Sequence, residues 1–541
     1  MNPKLDHPPA GAPNSKLSRG KVYLVGAGPG DCGLITLKGV ECLKQAEVVL
    51  YDHLVNPDLL SYVGAEAEVI YVGKEGGDHT LSQDEINNLM LKKVEEGKII
   101  VRLKGGDPFL FGRGGEEAYT LARARADFEV VPGISSALAA PAYAGIPLTH
   151  RQFASSVAII TGHEDLTKKI SSLEWKKLAT GPDTLVILMG ITHLAEIVEK
   201  LTTYGRNPST PIAIICWGTT PQQQVITGNL TNIVERAKFA RISPPGVIVV
   251  GEVVTLRAWL NWLEQRPLFN RGILVTRAAA QAGTFKHLLE SYGARVIEFP
   301  TIKIVPPASF DGLEQALSRI SDYHWLIFTS VNGVKFFFDR LWKKGLDLRA
   351  LSGIKIAAIG PSTAAEIEKL YLRVDYQPQD EFRAEAVVEG LKRSGEAEAP
   401  GNRRMARPGG DELTLRGSNI LIPRAEEARD TLPEELAKLG ARVDVVPVYR
   451  TVKENNNRAY IERLLDEHKI DVVTFTSSST VTNFVSAFAD QDLTRLLNGV
   501  RVACIGPITE DKAKDLGLRV DITASEYTIS GLTRAIIDYF D

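Results

Sequence analysis

From Lys21 onward, short apolar runs alternate with longer stretches of helical character. VYLVG, AEVVLYD, KIIVRL, VAIITG, TLVILMG, IAIIC and GVIVV read as strands, and the segments between them as helices. That alternation predicts the α/β class. A punctuated stretch, LEQRPLFNRG at 263–272, follows the helical VVTLRAWLNWL and precedes a new strand, ILVTR, which sets a boundary near residue 265. The expected plan is a disordered lead-in over 1–19, a first domain over 20–262, a linker over 263–271 and a second domain over 272–541.

The second half contains an internal duplication. ILVTRA (273–278) matches ILIPRA (420–425), with Arg277 and Arg424 separated by 147 residues. Thr329 in FTSVNGV and Thr476 in FTSSSTV keep the offset of 147, and Gly360 and Gly506, each in an IGP turn, lie 146 apart. A period this long implies two similar α/β lobes with a ligand cleft between them. Residues 394–418, rich in Gly, Pro, Arg and Glu, interrupt this half and read as a mobile surface insertion.

Length and composition narrow the class. At ~100–200 residues per domain, 541 residues hold about three or four packing units. With 44% apolar and 24% charged residues, disordered, collagenous and membrane-embedded classes are excluded. Lys and Arg number 63 against 66 Asp and Glu, so no global basic field exists for nucleic acid or an anionic membrane. Cys32, Cys42, Cys216 and Cys504 form no Cys-x-x-Cys pair, which argues against a zinc knuckle or disulfide framework and for a reducing compartment. With no signal-peptide run near the N-terminus and no apolar stretch of ~20 residues, the expectation is a soluble cytoplasmic chain.

The strand VYLVG runs into Gly26-Ala27-Gly28-Pro29-Gly30-Asp31, followed by a helix that Thr36 is placed to cap. A dinucleotide fingerprint is the first reading, with Asp52 as the acid that bonds the ribose. Against it, Asp31 puts a negative charge at the third-glycine position, and Pro29 removes an N–H donor. A ligand with positive charge and no phosphate, such as S-adenosylmethionine, suits the loop better.

Further motifs carry a resemblance. GAGPGDCGLITLKG (26–39), YDHLV (51–55), VRLKGGDPFLFGRGGEE (101–117), VVPGISSALAAPAYAGIPLTHR (130–151) and ILMG (187–190) resemble the uroporphyrinogen-III C-methyltransferases of the tetrapyrrole methylase family, over residues 21 to about 262. The resemblance implies a two-lobed methylase fold, usually homodimeric, with S-adenosylmethionine and a tetrapyrrole in the interlobe cleft. It implies cofactor contacts at Pro29, Gly105, Gly106, Asp107, Leu110, Ser135, Ser136, Met189 and Gly218, with Asp52 as proton acceptor and Lys74 as proton donor. Cys32 stands where the family commonly has Pro, and Ser135-Ser136 where it has Thr-Ala.

In this chemistry an electron-rich pyrrole carbon attacks the sulfonium methyl in line, so near-attack geometry supplies much of the acceleration. Asp52 at a strand end suits the subsequent proton removal, and its alternative role is to cap the following turn. A substrate with eight carboxylates calls for cations, and Lys104, Arg113 and Arg151 lie in or beside the motifs. Taken singly, each reads first as a solvated surface charge, and only a cluster of them would mark a substrate site. His53, His79, His150 and His163 lack metal-ligand spacing, and no metal is predicted.

The duplicated half resembles uroporphyrinogen-III synthase through FTSVNGV (328–334), IGPSTAAEIEKL (359–370), LGARVDVVPVYRT (439–451), FTSSSTV (475–481) and IGPITEDKAKDLGLRVD (505–521). That family joins two α/β lobes by a β-ladder, with the first and last segments sharing a lobe, and uses no cofactor. The resemblance implies that Tyr449 assists loss of water from hydroxymethylbilane and that Thr329, Ser330, Ser477, Ser478 and Thr509 line the cleft. Local readings stand beside these. A Ser or Thr between strand and helix suits an N-cap, Thr363 with Glu366 and Thr431 with Glu434 read as capping boxes, and Asn332-Gly333 reads as a turn.

The two resemblances fit together, because the product of the second half is the substrate of the first. The reading is a bifunctional fusion that cyclises hydroxymethylbilane to uroporphyrinogen III and methylates it twice to precorrin-2, for siroheme or corrinoid synthesis. The rivals are a methyltransferase carrying a non-catalytic tetrapyrrole-binding module, and an NAD-dependent dehydrogenase built on GAGPGD.

Overall fold

The computed structural model describes residues 20–73, 81–162, 173–277, 279–378, 388, 415–427, 430–453 and 458–541. The lead-in over 1–19, Lys74, His79, His163 and residues 394–414 of the insertion lie outside them. The chain forms two compact units, Met1–Gly272 with Leu289–Arg295 and Phe540–Asp541, and Ile273–Leu288 with Val296–Tyr539.

The first unit holds two five-stranded sheets. β1 (Lys21–Gly26), β2 (Val48–Tyr51), β3 (Glu68–Tyr71), β4 (Ile99–Lys104) and β5 (Asp127–Val131) form one, in the order β3-β2-β4-β1-β5 and parallel throughout. Its central strands are covered on both faces, by Val22, Leu24, Leu50 and Ile100 on one and Val25, Val49, Val101 and Leu103 on the other. Burial on two sides is why these strands read as continuous apolar runs rather than alternating ones. β6 (Val157–Thr161), β7 (Thr184–Leu188), β8 (Pro211–Cys216), β9 (Gln224–Asn229) and β10 (Gly246–Val250) form the second, in the order β6-β7-β10-β8-β9, with only the β6–β7 pair parallel. The seven runs singled out from the pattern are β1, β2, β4, β6, β7, β8 and β10. Thr36 caps the helix Leu37–Gln45 as expected, its hydroxyl accepting Gly39 N–H at 3.0 Å.

The second unit also holds two five-stranded sheets, built from β11 (Gly272–Val275), β12 (Arg295–Glu298), β13 (Ile302–Val305), β14 (Trp325–Phe328), β15 (Lys355–Ala358), β16 (Asn419–Ala425), β17 (Arg442–Lys453), β18 (Val472–Phe475), β19 (Arg501–Cys504) and β20 (Ile522–Thr523). The orders are β12-β11-β18-β19-β20 and β13-β17-β16-β14-β15. The repeats are therefore exchanged. The first strands of the first repeat complete the sheet of the second, and β16 and β17 complete that of the first. The antiparallel ladder of β13 with β17 pairs Ile304 with Thr451, positions separated by the repeat offset of 147, so the repeats meet at equivalent points.

Three local readings are corrected. The helix Pro361–Glu368 begins before Thr363, with Gly360 as its N-cap and no side-chain cap, so Thr363 and Glu366 form no capping box. Pro361 supplies the preset φ of a first helical residue, and the start shifts with it. Thr431 lies inside the helix Thr431–Lys438 whose N-cap is Asp430, again without a side-chain cap, because the Asp430 carboxylate is engaged by Arg424. Asn332 and Gly333 are buried in the first turn of the helix Val331–Lys343 rather than in a loop turn. Among the described residues, no helix is long and apolar enough to cross a membrane.

Candidate active sites

Parallel strands deliver their carboxyl-end loops to one edge of a sheet, and ligands of open α/β sheets bind there. The loops after β1, β2, β4 and β5 all open onto one cavity of about 1090 Å³, closed from the second sheet by Met189, Trp217, Gly218 and Gly246. All nine residues read as cofactor contacts line it: Pro29, Gly105, Gly106, Asp107, Leu110, Ser135, Ser136, Met189 and Gly218. These residues are scattered along the chain, and only the fold collects them.

Backbone proximity explains the glycines. Gly28 and Gly106 exchange hydrogen bonds at 3.2 and 2.7 Å, with φ of 80° and 70°, in the left-handed region that side chains avoid. A Cβ on Gly133 would stand 2.3 Å from the Gly106 carbonyl oxygen, so the loops after β4 and β5 pack main chain on main chain. Asp107 ties them together. Its Oδ1 accepts Phe109 and Leu110 N–H at 2.8 and 3.0 Å, and its Oδ2 accepts Gly133 N–H at 3.0 Å. Ser135 caps the helix Ser136–Tyr143 that follows.

The loop after β1 opens no phosphate site. Asp31 caps the short turn Cys32–Leu34 by accepting Gly33 N–H at 2.7 Å, and its other oxygen accepts the Tyr143 hydroxyl at 2.7 Å. Burial together with that carboxylate holds the Tyr143 phenol well above its ordinary range. The long helix begins only at Leu37, six residues beyond Asp31, and not at the loop itself as in a dinucleotide fingerprint. Among the described residues lining the cavity there is no Lys or Arg, and Asp107 is the single carboxylate.

Asp52 directly follows β2 and precedes His53, which lines the cavity. Arg102, only 2% exposed, donates to Asp52 Oδ1 at 2.7 Å and to Glu117 Oε1 at 3.1 Å. Lys104, expected to meet substrate carboxylates, is instead buried and donates to Glu117 Oε1 at 2.9 Å. Its place on the last position of β4, with the side chain turned into the sheet's covered face, removes it from the cavity wall; burial and the neighbouring Arg102 lower its pKa. Arg113 is exposed and pairs with Glu116 at 3.0 and 2.7 Å, and Arg151 is exposed. The three cations do not form the cluster the sequence suggested.

In the second unit, Tyr449 is 8% exposed and its hydroxyl lies 3.0 Å from Ser330 Oγ. Ser330 caps the helix Val331–Lys343, accepting Gly333 N–H at 3.0 Å, and Phe336 of that helix stacks on the Tyr449 ring at 5.9 Å between centroids. Thr329 directly precedes Ser330 at the carboxyl end of β14. On the other sheet, Ser477 caps the helix Ser478–Ala487 in a reciprocal box with Thr480, and Ser478 donates to the Ile508 carbonyl at 3.3 Å, beside the buried Thr509. The hydroxyl residues thus fall into two groups, each at the carboxyl end of a strand, and the N-cap reading holds for Ser330 and Ser477. Arg102, Glu117, Phe336 and Trp217 received no role from the sequence. The first two sat inside the VRLKGGDPFLFGRGGEE motif, which was the available signal.

The first unit has the form of a two-lobed transferase in which a parallel and a mixed sheet enclose a small-molecule cavity with no lysine or arginine among the described residues that line it, followed by a pseudo-symmetric two-lobed α/β unit. Family models match both parts: tetrapyrrole (corrin/porphyrin) methylases over residues 21–234, and uroporphyrinogen-III synthase HemD over residues 283–534. The porphyrin biosynthesis protein HemD of Ruminiclostridium josui is 37% identical over 523 residues, which cover 96% of this chain and 98% of that protein. The S-adenosyl-L-methionine-dependent uroporphyrinogen III methyltransferase of Methanosarcina barkeri is 51% identical over 247 residues, 46% of this chain and 96% of the relative. A solved uroporphyrin-III C-methyl transferase of Thermus thermophilus, complexed with S-adenyl homocysteine, is 39% identical and covers 44% of this chain and 100% of its own, with a TM-score of 0.38. The chain belongs to the family that joins a tetrapyrrole methylase to a uroporphyrinogen-III synthase.

Proposed function

We propose that the chain catalyses two consecutive reactions: its second unit cyclises hydroxymethylbilane to uroporphyrinogen III, and its first unit methylates that product twice with S-adenosylmethionine to give precorrin-2, for siroheme or corrinoid synthesis. The observation that carries the methylation reading is the single cavity lined by all nine motif residues. Its chemistry suits the donor. Among the described residues the wall has none of the cations a phosphate would call for, and a Cβ on Gly106 would come no closer than 3.9 Å to Ser135 and Ser136, so that glycine leaves room instead of relieving a clash.

When bound, S-adenosylmethionine supplies an electrophilic methyl group to a nucleophilic pyrrole carbon. The chain positions and handles the proton. The rigid Gly28–Gly106 pairing and the Asp107 tie hold the wall against which the reactants align. Asp52 takes the proton released from the methylated ring through Oδ2, which makes no hydrogen bond among the described residues, while Lys74 acts as the donor. In the second unit, Tyr449 donates toward the departing hydroxyl of hydroxymethylbilane, with Ser330 orienting its O–H. Thr329, Ser477, Ser478 and Thr509 bind carboxylate arms without a buried charge. The cytoplasm is its place, and a homodimer through the first unit its assembly.

Incubation of the full chain with hydroxymethylbilane tests the reading. Without S-adenosylmethionine the product is uroporphyrinogen III, and with it precorrin-2. Isomer I alone in the first case would make the second unit a non-catalytic binding module, and unmethylated product in the second would remove the methylase. Sedimentation of the full chain tests the dimer.

A further inference from the structure

Four charged side chains of the first unit form one connected set: Asp52, Arg102, Lys104 and Glu117. Arg102 is 2% exposed, Lys104 3% and Glu117 0%. Glu117 accepts three donors, Arg102 Nε, Lys104 Nζ and Gln83 Nε2, all on Oε1, at 3.1, 2.9 and 3.1 Å. Its Oε2 is buried without a partner among the described residues. Two cations thus face one fully buried anion, and Asp52, whose side chain is 30% exposed, contributes the second anion. Isolated buried charges are costly, so such a set persists as a neutral unit.

The geometry within the set is directional. Arg102 is planar and forked, and its Nε is fixed on Glu117 while Nη2 reaches Asp52 Oδ1 at 2.7 Å. Its Nη1 points to the carbonyls of Leu50, on the flanking strand β2, and of Leu103, the next residue of its own strand, each at 3.4 Å. A guanidinium anchored at three points leaves the carboxylate little rotational freedom. One Asp52 oxygen is held, and the other makes no hydrogen bond among the described residues.

We infer that Arg102 is a positioning residue for methyl transfer, clamping Asp52 by Oδ1 so that Oδ2 meets the ring proton, with Glu117 as the anchor that aims Arg102. This rests on the reading of Asp52 as proton acceptor. It assigns a role to the sequence relation between VRLK and GGEE. Strand β4 presents the guanidinium, the helix Gly114–Arg123 presents its anchor, and together they fix a side chain on neighbouring β2.

A double-mutant cycle on methylation of supplied uroporphyrinogen III by the full chain tests it, with titration of S-adenosylhomocysteine as the binding readout. Arg102→Met lowers kcat about a hundredfold, as expected for a misplaced reacting group. Binding of S-adenosylhomocysteine stays within about twofold, because Arg102 does not line the cavity. Asp52→Asn combined with Arg102→Met is no slower than Asp52→Asn alone. Glu117→Gln, which keeps an acceptor for Lys104 and Gln83, gives a smaller loss of about fivefold that also vanishes in the Asp52→Asn background.

Losses that multiply in the double variant would show that Arg102 acts independently of Asp52 and overturn the inference, as would full turnover in Arg102→Met. Full turnover in Asp52→Asn instead removes the proton-acceptor reading itself, a separate failure. If Arg102→Met does not fold, Arg102→Lys runs the same cycle with a cation retained in the site; the outcomes are read in the same way.

Discussion

The two sites hold their proposed proton-handling groups by opposite means. Asp52 is gripped by a buried guanidinium that is itself anchored on a fully buried carboxylate. Tyr449 is held by one hydroxyl, Ser330, and by the stacked ring of Phe336, with no charged group at its hydroxyl in any hydrogen bond described. A carboxylate that accepts a proton exchanges charge with its surroundings, so fixed counter-charges can hold it in place. A phenol that helps a hydroxyl leave starts neutral, and a dipole suffices to orient it. The cavity follows the same division: the first unit shapes its pocket with main chain and glycine, and the second presents side-chain hydroxyls on helix N-termini.

The comparison breaks most readily at Asp52. Asp52→Asn slows methylation of supplied uroporphyrinogen III about a thousandfold in single-turnover assays. Donor binding by calorimetry is unchanged, and synthesis of uroporphyrinogen III from hydroxymethylbilane proceeds at the parent rate. Tyr449→Phe is the mirror test. It keeps the ring stacked on Phe336 and slows ring closure about a hundredfold, measured as the ratio of isomer III to spontaneous isomer I, with methylation intact. Equal damage to both reactions by either substitution would mean that the sites are not separable.

Ser330→Ala sharpens the contrast at lower amplitude. It removes one neutral hydrogen bond to Tyr449 and one helix cap, so ring closure falls about fivefold and the second unit loses about 1 kcal/mol by urea titration. The smallest effect uses thiols as reporters. Burial pushes the Cys216 thiol up to about 11 and the Cys504 thiol up to about 12, so at pH 8 neither is appreciably ionised in the folded chain. Cys216 belongs to the first unit and Cys504 to the second. Their trapping by a thiol reagent across a urea series, located by peptide mapping, therefore reports the opening of each unit. Separate midpoints are expected, and coincident ones would make the two units a single cooperative fold.

Much of this was legible beforehand. The β-branched runs became strands because buried parallel strands are apolar on both faces, as β4 shows between β2 and β1. Thr36, Ser330 and Ser477 became N-caps because a hydroxyl at a strand-to-helix junction satisfies free N–H groups locally. The failures were also physical. Lys104 sits in a motif rich in ligand contacts, yet the strand turns it toward Glu117 and away from the cavity. Thr363 matched a capping box in letters, but Pro361 started the helix earlier.

Residue order alone determined the α/β class, the duplication at an offset of 147 and the phosphate-averse loop at Asp31, because each rests on neighbours in the chain or on a repeated spelling. The shared cavity, the exchange of strands between the repeats and the clamp from Glu117 through Arg102 to Asp52 were decided by tertiary structure. Hydrogen bonds and ion pairs act over a few ångströms in space, and the 64 positions between Asp52 and Glu117 carry no mark that folding brings both to one guanidinium.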